Sequence, residues 1–356
     1  MKAARYYGRK DVRLEDVPEP RDPLAGEITV DVSWCGICGT DLEEYLFGPM
    51  IIPTGTPHPL TGQMAPLIMG HEVAGRVSKI GKDVTHLKEG DLVALDGLIS
   101  CGKCYWCQRH QVNLCVNMAS IGLMGDGGLA ERLTVEAKTS IPVPANVPDD
   151  LAPLAEPLSV AIRTLRRGRL MMGERVAILG AGTIGLALMQ VARAGGASAV
   201  YMVDPTPFRR ELAQRLGATG TFEPSEELVD ELKDERGVGP DIVVDATGIP
   251  SGPAEAVRLT RRGGRAVVVG LPTEASSIDV LDMVLREIDL IGSLSHIYDE
   301  DFRQAVDLIA DGRVDAASLI THRIALDDVV EQGFGALTGP QREKTLKVLV
   351  SPALSA

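Results

Sequence analysis

Hydrophobic and polar residues follow two different patterns in the two parts of this chain. In the first 150 residues, Glu27–Trp34 places apolar residues at every second position, and Val73–Ile80 and Asp91–Leu95 are similar segments set among glycines and prolines. Alternation of this kind is typical of strands that bury one face and expose the other. The first part of the chain is therefore predicted to be rich in β-strands.

From about residue 157 onward, short continuous apolar runs alternate with stretches of helical pattern. Such runs are typical of strands buried on both faces of a parallel sheet. The predicted strands are Arg175–Leu179, Ala199–Val203, Asp241–Asp245 and Arg265–Val269. Their alternation with helices predicts an α/β fold with a doubly wound parallel sheet of the Rossmann type. Beyond it we expect a helix over residues 301–311 and a last strand over residues 344–350.

Composition and charge limit the kinds of molecule that this protein is expected to bind. The 356 residues carry a formal net charge of −13, which disfavours binding to nucleic acid. No apolar run approaches the roughly 18 residues of a membrane span. The first residues lack the apolar core of a signal peptide, so we expect a cytoplasmic protein with reduced thiols.

Four cysteines, Cys101, Cys104, Cys107 and Cys115, form a C-x2-C-x2-C-x7-C pattern. Four thiolates this close in sequence can surround one zinc ion tetrahedrally. Such a shell leaves no open position for a substrate. The pattern therefore predicts a structural zinc site, and it indicates that any chemistry takes place elsewhere.

Three other interpretations of these cysteines are two disulfides, an iron–sulfur cluster and a nucleic-acid-binding zinc finger. Two disulfides are disfavoured, because three of the cysteines fall within seven residues and no oxidising compartment is indicated. An iron–sulfur cluster matches the first three cysteines, but in bacterial ferredoxins the fourth follows after three residues and precedes proline. A nucleic-acid-binding zinc finger conflicts with the negative charge.

A glycine-rich turn follows the predicted strand Arg175–Leu179. Gly180, Gly182 and Gly185 form a G-x-G-x-x-G pattern, and Thr183 and Ile184 lie where the next helix begins. In a dinucleotide site these glycines permit a tight turn, close approach of a pyrophosphate and close packing of the helix. The helix N-terminus then favours the phosphates.

Asp204 ends the next predicted strand, 24 residues after Gly180. A carboxylate there accepts hydrogen bonds from the adenosine ribose and repels a 2′-phosphate, which favours NAD over NADP. Arg209 weakens that preference slightly. Thr247, Val269 and Gly270 follow later strands at the ligand side of the sheet, and we expect them to line the cofactor.

Two further cysteines, Cys35 and Cys38, form a C-x-x-C pair at the end of an alternating strand. Redox pairs of this spacing sit ahead of a helix in a βαβ unit, which is not the pattern here. His71 and Glu72 follow about 30 residues later. A lone histidine is more often structural, but this one is a candidate for part of a metal site.

Taken together, these motifs resemble the zinc-dependent medium-chain alcohol and polyol dehydrogenases, nearly from end to end. Gly-His-Glu at residues 70–72 fits the zinc signature of that family, residues 101–115 fit its structural zinc lobe, and Cys38–Asp41 fits as well. Within the family, residues 45–53 and 58–62 resemble the 2,3-butanediol dehydrogenase branch. Sorbitol-type polyol dehydrogenases are close neighbours.

The resemblance implies a catalytic zinc held by Cys38 and His71. A third cysteine ligand, as in some members, is not available, so Glu156 at the matching position is the expected third ligand. Glu72 is expected to bind zinc directly or through water in alternative states. With the four-cysteine site, the resemblance implies about two zinc ions per chain.

The resemblance also implies a mechanism. Zinc acidifies the substrate hydroxyl, and hydride passes from carbon to the nicotinamide. Thr40 matches the hydroxyl that passes the proton outward. Family members usually carry a histidine five residues after the ligand cysteine, whereas this chain has Glu43 there. The expected relay is therefore Glu43, or else water and the cofactor ribose.

We accordingly expect an NAD-dependent zinc oxidoreductase that acts on a secondary alcohol, foremost a vicinal diol such as 2,3-butanediol. The alternatives are sorbitol, another polyol or threonine as substrate, or a nucleotide-binding regulator without catalysis. The expected domains are a GroES-like catalytic domain over residues 1–153, completed by 297–356, and an NAD-binding domain over 154–296, with the active site in the cleft. Family resemblance implies a homotetramer or homodimer.

Overall fold

The computed structural model describes residues 1–355, which form two compact units. The first unit contains Met1–Glu156, Ile297–Asp311 and the residues from Ala316 to the end of the described chain. The second contains Pro157–His296 and Gly312–Asp315. The first unit is thus interrupted after Glu156 and resumes at Ile297.

The strands, in chain order, are β1 Lys2–Gly8, β2 Asp11–Asp16, β3 Glu27–Gly36, β4 Leu67–Ile68, β5 Glu72–Ile80, β6 Leu92–Leu95, β7 Leu98–Ile99, β8 Ala119–Ser120, β9 Arg132–Glu136, β10 Ser140–Pro142, β11 Arg175–Leu179, β12 Ala199–Val203, β13 Gly220–Phe222, β14 Ile242–Asp245, β15 Arg265–Val268, β16 Asp289–Gly292, β17 Ile320–Ala325 and β18 Lys347–Ser351.

The α-helices are α1 Gly39–Phe47, α2 Ala155–Arg167, α3 Thr183–Ala194, α4 Pro207–Arg215, α5 Leu228–Glu231, α6 Gly252–Leu259, α7 Val280–Leu285, α8 Arg303–Ala310 and α9 Gly335–Thr338. Short 3-10 turns lie at Cys107–Arg109, Val112–Leu114, Ala137–Thr139, Ala152–Leu154, Ala317–Leu319, Leu326–Asp328 and Arg342–Lys344. Wider π turns lie at Tyr298–Phe302 and Val329–Phe334.

The first unit is built on antiparallel β-structure. Its largest sheet has the order β10-β6-β5-β3-β18-β17, and β9 also pairs with β3. A smaller sheet has the order β2-β1-β4, and β7 pairs with β8. The inward side chains of these strands form one apolar core that includes Val30, Val73 and Val348. This core holds β3, β5 and β18 side by side. Cys38 follows the end of β3, and Glu72 and Lys347 are the first residues of β5 and β18.

The second unit contains a six-stranded sheet of order β13-β12-β11-β14-β15-β16, in which every pair is parallel. The order reverses at β11, so β12 and β14 lie on opposite sides of it. A reversal of this kind leaves a crevice at the carboxyl ends of the strands, where ligands bind in such sheets. The predicted α/β fold with a parallel Rossmann-type sheet and a β-rich second domain is confirmed.

Several elements were not predicted from the sequence, among them strands β13 and β16 of the parallel sheet. Helix α1 follows β3 directly, in a region that was read as strands and turns. Strand β17 pairs in parallel with β18. The helix predicted over 301–311 is present as a π turn followed by α8. Within the described residues, no helix is both long enough and apolar enough to cross a membrane.

Candidate active site and metal-binding residues

The junction of β3 and α1 positions the first group of side chains. Cys38 is the N-cap of α1, and its backbone N–H donates to Asp41 Oδ2 at 3.0 Å. This contact fixes the first turn of the helix, as an acidic residue at the third position commonly does. Thr40 Oγ1 lies 3.9 Å from Cys38 Sγ. Cys38 and Thr40, both predicted as site residues, are thus neighbours on the same helical turn.

A helix does follow the Cys35–Cys38 pair, contrary to the expectation from the sequence. The pair nevertheless does not belong to a βαβ unit, because β3 runs antiparallel to its partners β5, β9 and β18. Cys35 is buried, and burial raises the pKa of its thiol well above the usual value. A buried thiol of this kind is a poor nucleophile, which disfavours a redox pair.

His71 lies in the loop between β4 and β5. Gly70 has a φ of +93°, and a Cβ there would lie 2.5 Å from Cys35 Sγ, so only glycine allows the chain to pass this close to β3. This passage brings His71 Nδ1 to 3.5 Å from Asp41 Oδ1. Both atoms are buried and have no hydrogen-bond partner. Asp41 therefore lies where it can orient the His71 ring.

The charges around His71 act in opposition to its burial. Burial lowers the pKa of His71, but the negative charges of Asp41 and Cys38 outweigh it and raise that pKa well above the usual value. The side chain is 6% exposed. An imidazole between a thiolate and a carboxylate is a site that a cation would occupy favourably, since metal binding needs the neutral imidazole and an anionic environment.

Glu72, the first residue of β5, has a hydrogen-bond partner at only one of its two carboxylate oxygens. Its Oε1 accepts a hydrogen bond from Lys347 Nζ at 2.5 Å, and both side chains are buried. Its Oε2 is buried and has no hydrogen-bond partner. Lys347 also donates to the backbone carbonyl of Ile37 at 3.0 Å. Lys347 was not among the residues predicted from the sequence.

Glu156 and Glu43 are the other predicted carboxylates. Glu156 lies in the first turn of α2 and is half-buried. Its negative charge contributes to the raised pKa of Lys347, which burial alone would lower. Glu43, in α1, is half-buried as well, and burial together with the charge of Glu44 raises its pKa.

The two predicted metal sites differ in how tightly their donors are gathered. In the part of the chain that the structure describes, one group of at least three histidine, cysteine or acidic residues has its ligand atoms within 4.8 Å of one another, and it consists of Cys101, Cys104, Cys107 and Cys115. The set of Cys38, His71, Glu72 and Glu156 is not gathered to that degree.

The four cysteines lie on a loop between β7 and β8 that contains two 3-10 turns. Cys107 Sγ is 3.5 Å from Cys104 Sγ and 3.9 Å from Cys101 Sγ. The backbone N–H of Cys101 donates to Cys115 Sγ at 3.3 Å. All six cysteines of the chain are free thiols, which excludes the disulfide alternative in this structure.

Backbone amides stabilise negative charge within this cysteine group. N–H groups of Cys107 and Val116 lower the pKa of Cys104 to about 6. Those of Lys103 and Cys104 lower the pKa of Cys101, whereas burial raises the pKa of Cys107 to about 11. A soft dication would fit these four donors, because thiolate is its preferred ligand and the backbone already supports the charge.

In the second unit, the glycine motif lies at the carboxyl end of β11. Gly180 has a φ of +90°, and a Cβ at Gly185 would lie 1.8 Å from Gly180 O. Gly182 is the N-cap of α3, and no side chain caps the helix. A Cβ at Gly182 would meet open space, so the backbone there is accessible to a ligand. Thr183 and Ile184 form the first turn, whose amides suit an anion.

Asp204, at the end of β12, is 3% exposed. Its Oδ2 accepts from the Ala181 backbone N–H at 2.7 Å, and its Oδ1 accepts from the Thr206 N–H at 2.8 Å. Arg209 Nη1 lies 3.9 Å from Asp204 Oδ2. The carboxylate thus ties the glycine turn to the next strand, and it places a negative charge beside that turn.

The remaining predicted cofactor residues end β14 and β15. Thr247 donates from its N–H and from Oγ1 to Asp245 Oδ1, at 2.9 and 2.6 Å. Val269 and Gly270 both donate backbone N–H bonds to Asp245 O at 3.0 Å. These contacts bring Thr247, Val269 and Gly270 together at the edge of the sheet where Gly180 also lies.

Segment 45–53 divides between core and surface. Tyr45 packs against Phe334 with ring centroids 4.8 Å apart, and Ile52 is buried. Phe47 and Met50 are exposed. Glu44 holds the segment in place, since its carboxylate accepts backbone N–H bonds from residues 50, 51 and 52.

Comparison with known proteins agrees with this architecture. Residues 183–311 match the zinc-binding dehydrogenase family, and residues 24–145 match the alcohol dehydrogenase GroES-like domain. The (R,R)-butanediol dehydrogenase of Bacillus subtilis is 35% identical over 99% of this chain and 100% of its own length.

Solved structures give the same result. The crystal structure of 2R,3R-butanediol dehydrogenase from Bacillus subtilis has a TM-score of 0.91 and 34% identity, covering 99% of both chains. A structure from Sinorhizobium meliloti 1021 with NADP bound has a TM-score of 0.87 and 31% identity, also over 99% of both chains. The resemblance inferred from the motifs is confirmed, and the chain belongs to the zinc-binding dehydrogenases with an alcohol dehydrogenase GroES-like domain.

Proposed function

We propose that this protein is an NAD-dependent zinc dehydrogenase that interconverts a secondary alcohol and its ketone, with a vicinal diol of the 2,3-butanediol type as the substrate. The observation that carries the proposal is the group formed by the half-buried Cys38 and the buried His71 and Asp41. A sulfur, an imidazole and a nearby carboxylate are the donor types of catalytic zinc sites. The similarity to butanediol dehydrogenases supports the choice of a diol.

Cys38, His71 and Glu156 would hold the catalytic zinc, with Glu72 as an additional carboxylate near it. Glu72 Oε2 is buried and has no hydrogen-bond partner, which supports a cation near these residues, because buried polar atoms without partners are costly. When bound, zinc supplies Lewis acidity toward a substrate oxygen. Asp41 would orient His71, as acceptors beside ligand histidines do.

Proton transfer is assigned to Thr40 and Glu43. Thr40 lies beside Cys38 on the same turn, and Glu43 follows one turn later on α1. The raised pKa of Glu43 suits a carboxylate that exchanges protons closer to neutral pH than an ordinary one does. Water and the cofactor ribose are the alternative route.

The glycine motif, Asp204, Arg209, Thr247, Val269 and Gly270 would bind NAD. When bound, NAD supplies the nicotinamide ring that accepts the hydride. The charge of Asp204 beside the turn opposes a 2′-phosphate, although one structural neighbour binds NADP. We expect Asp204→Ala to reduce the preference for NAD over NADP by about tenfold or more, since a lost charge repulsion of 1–2 kcal/mol corresponds to that factor. Steady-state kinetics with both cofactors measure this, and an unchanged preference would assign the discrimination to another residue.

Cys101, Cys104, Cys107 and Cys115 would bind a second zinc with a structural role. The sulfur separations and the surrounding backbone amides support this assignment. An iron–sulfur cluster at this place would give visible absorption that zinc does not.

The substrate assignment is tested with a panel of alcohols. The purified, zinc-loaded protein would be assayed for NAD reduction with the stereoisomers of 2,3-butanediol, with sorbitol and with threonine. The proposal predicts the highest kcat/KM for one butanediol stereoisomer. A higher value for sorbitol or threonine would replace the diol as substrate. Binding of NADH without reduction of NAD by any of these alcohols would support a regulator instead.

We further propose that the protein acts in the cytoplasm as a homodimer or homotetramer. Four apolar side chains of α7 are 60 to 70% exposed: Val280, Leu281, Val284 and Leu285. Strand β16, beside this helix in sequence, is the edge strand of its sheet. An exposed edge strand with exposed apolar residues is suited to pairing with a second copy. Sedimentation equilibrium of the wild type and Val284→Glu would test this, and a wild-type monomer would contradict it.

A further inference from the structure

Lys347 and Glu72 form a fully buried ion pair in the first unit. Their side chains are 3% and 1% exposed, and Lys347 Nζ lies 2.5 Å from Glu72 Oε1. The two residues are the first residues of β18 and β5, and both strands pair with β3. A buried ion pair is weak evidence for stability, because desolvating two charges costs about as much as their attraction returns. Its presence here calls for another role.

The free oxygen of Glu72 occupies a space that the chain leaves open for it. A Cβ on Gly36 would lie 2.0 Å from Glu72 Oε2, so the carboxylate lies directly over a residue without a side chain. This Oε2 has no hydrogen-bond partner, although it is buried. One oxygen is therefore held by Lys347, while the other has no hydrogen-bond partner of its own.

Lys347 also lies within the electrostatic influence of the proposed zinc ligands. The negative charges of Glu72, Cys38 and Glu156 all act on its ammonium group. With Asp41, four potentially anionic side chains surround a site that would receive one dication. Lys347 is a positive charge in the same place, and it contacts Glu72 directly.

We infer that Lys347 is a positioning residue that holds Glu72 away from the catalytic metal, so that this carboxylate does not take the position needed by the substrate oxygen. The inference rests on the proposed zinc site of Cys38, His71 and Glu156. Without the ammonium group, Glu72 would be a buried anion that has lost its ion-pair partner. Such a carboxylate would move to the metal and bind it.

The test replaces the catalytic metal with Co²⁺, whose visible absorption reports its ligands. A chelator removes the catalytic metal, one equivalent of Co²⁺ is added, and Cys38→Ser protein, which keeps the four-cysteine group, serves as the blank. Lys347→Met should change the Co²⁺ spectrum and slow Co²⁺ loss to chelator by about 10- to 100-fold, the range in which residues next to metal ligands act. Lys347→Arg, which keeps the charge, should change both much less.

The double variant Lys347→Met/Glu72→Gln distinguishes positioning from a general packing role. If Lys347 acts through the charge of Glu72, this protein should give the same Co²⁺ spectrum as Glu72→Gln alone, because neither protein has a carboxylate at position 72 to bind the metal. That comparison also applies if Lys347→Met by itself does not fold, because removing both charges leaves no buried unpaired ion.

Three results would overturn the inference. They are a Lys347→Met spectrum identical to that of the wild type, faster instead of slower loss of Co²⁺, and a difference between the double variant and Glu72→Gln. A wild-type protein that takes up no Co²⁺ beyond the Cys38→Ser blank would instead overturn the proposed zinc site, and this inference with it.

Discussion

The two groups of potential metal ligands in the first unit are built in different ways. The cysteine group takes its four donors from one loop, between Cys101 and Cys115, and all four are sulfur atoms. The group around Cys38 takes sulfur, imidazole and carboxylate from residues as far apart as Cys38 and Glu156, with Lys347 added from the last strand. One is local and uniform, whereas the other depends on the whole sheet.

The two groups of potential ligands also differ in how exposed they are and in what stabilises their charges. Cys101 and Cys104 are partly exposed, and backbone amides of the same loop stabilise their thiolates. His71, Asp41, Glu72 and Lys347 are each no more than 6% exposed, and their charges act on one another. A uniform local group is suited to closing around a metal, and a buried mixed group is suited to leaving a position open. This difference supports the proposal that one metal stabilises the fold and another takes part in the chemistry.

The largest expected effect concerns the mixed group. Cys38→Ser should lower kcat/KM by about a thousandfold or more, since a Lewis-acid metal supplies several kcal/mol to the transition state. Affinity for NADH should stay within about twofold in a fluorescence titration, because the glycine motif is unaltered. Steady-state assays of NAD reduction measure the loss.

Cys35→Ala is the matched control for this variant. Its thiol lies three residues earlier and is buried, but it belongs to neither proposed zinc site. Turnover should therefore stay within a few-fold of the wild type. Comparable turnover in Cys38→Ser and wild type would remove the catalytic role from the mixed group.

The second effect concerns the cysteine loop. Cys104→Ser should release the structural zinc and lower the melting temperature, by about 2 °C or less for each kcal/mol of stability lost, because the shift per kcal/mol falls as chain length increases. The kcat of the molecules that remain folded should change little, because the loop holds no substrate position. Differential scanning calorimetry and kcat per folded molecule measure the two quantities.

Cys101→Ser should behave in the same way, because it removes a donor from the same closed set. A loss of kcat as large as that of Cys38→Ser, without a change in melting temperature, would reverse the roles assigned to the two groups.

The smallest effect is a change in pH dependence. Burial and the charge of Glu44 raise the pKa of Glu43 above the usual 4.5. A base must be ionised to accept a proton, so alcohol oxidation in the wild type should decline on the acid side at a pH above 4.5, and Glu43→Gln should remove this limb. Profiles of kcat against pH measure it.

Glu89→Gln, at an exposed position, is the control and should leave the profile unchanged. The sign for stability is also defined. Because the pKa of Glu43 is higher in the folded than in the unfolded protein, Glu43 contributes to the free energy of unfolding below pH 4.5, and this contribution is lost as the pH rises through the pKa of the folded state. Glu43→Gln should therefore be slightly more stable than the wild type at neutral pH. An identical profile for wild type and Glu43→Gln would assign the relay to water.

Much of the fold could be predicted from local sequence. Strands β11 and β12 have the predicted bounds, because strands buried on both faces appear as continuous apolar runs. Strand β17 was missed because Thr321, His322 and Arg323 interrupt its apolar residues, and its position depends on pairing with the distant β18. Helix α1 was missed because it is short and lies between glycines at both ends.

In the candidate site too, local contacts could be predicted from the sequence and contacts between distant residues could not. The four cysteines are defined by spacing alone, because their contacts are local. The ion pair of Lys347 with Glu72 joins residues that are 275 positions apart, and nothing near Lys347 in the sequence indicates a partner. The one sequence signal of this ion pair is that a lysine begins the apolar strand β18. A lysine is costly to bury without a counter-charge.

The central claim is that the chain binds two metals with separate roles, and metal analysis tests it most directly. Elemental analysis of the purified wild type should give about two zinc ions per chain, and brief treatment with chelator should leave about one, bound to the four cysteines, with turnover lost and the fold retained. Iron in place of zinc, a single zinc in the untreated protein, or full turnover with one zinc remaining would contradict the account.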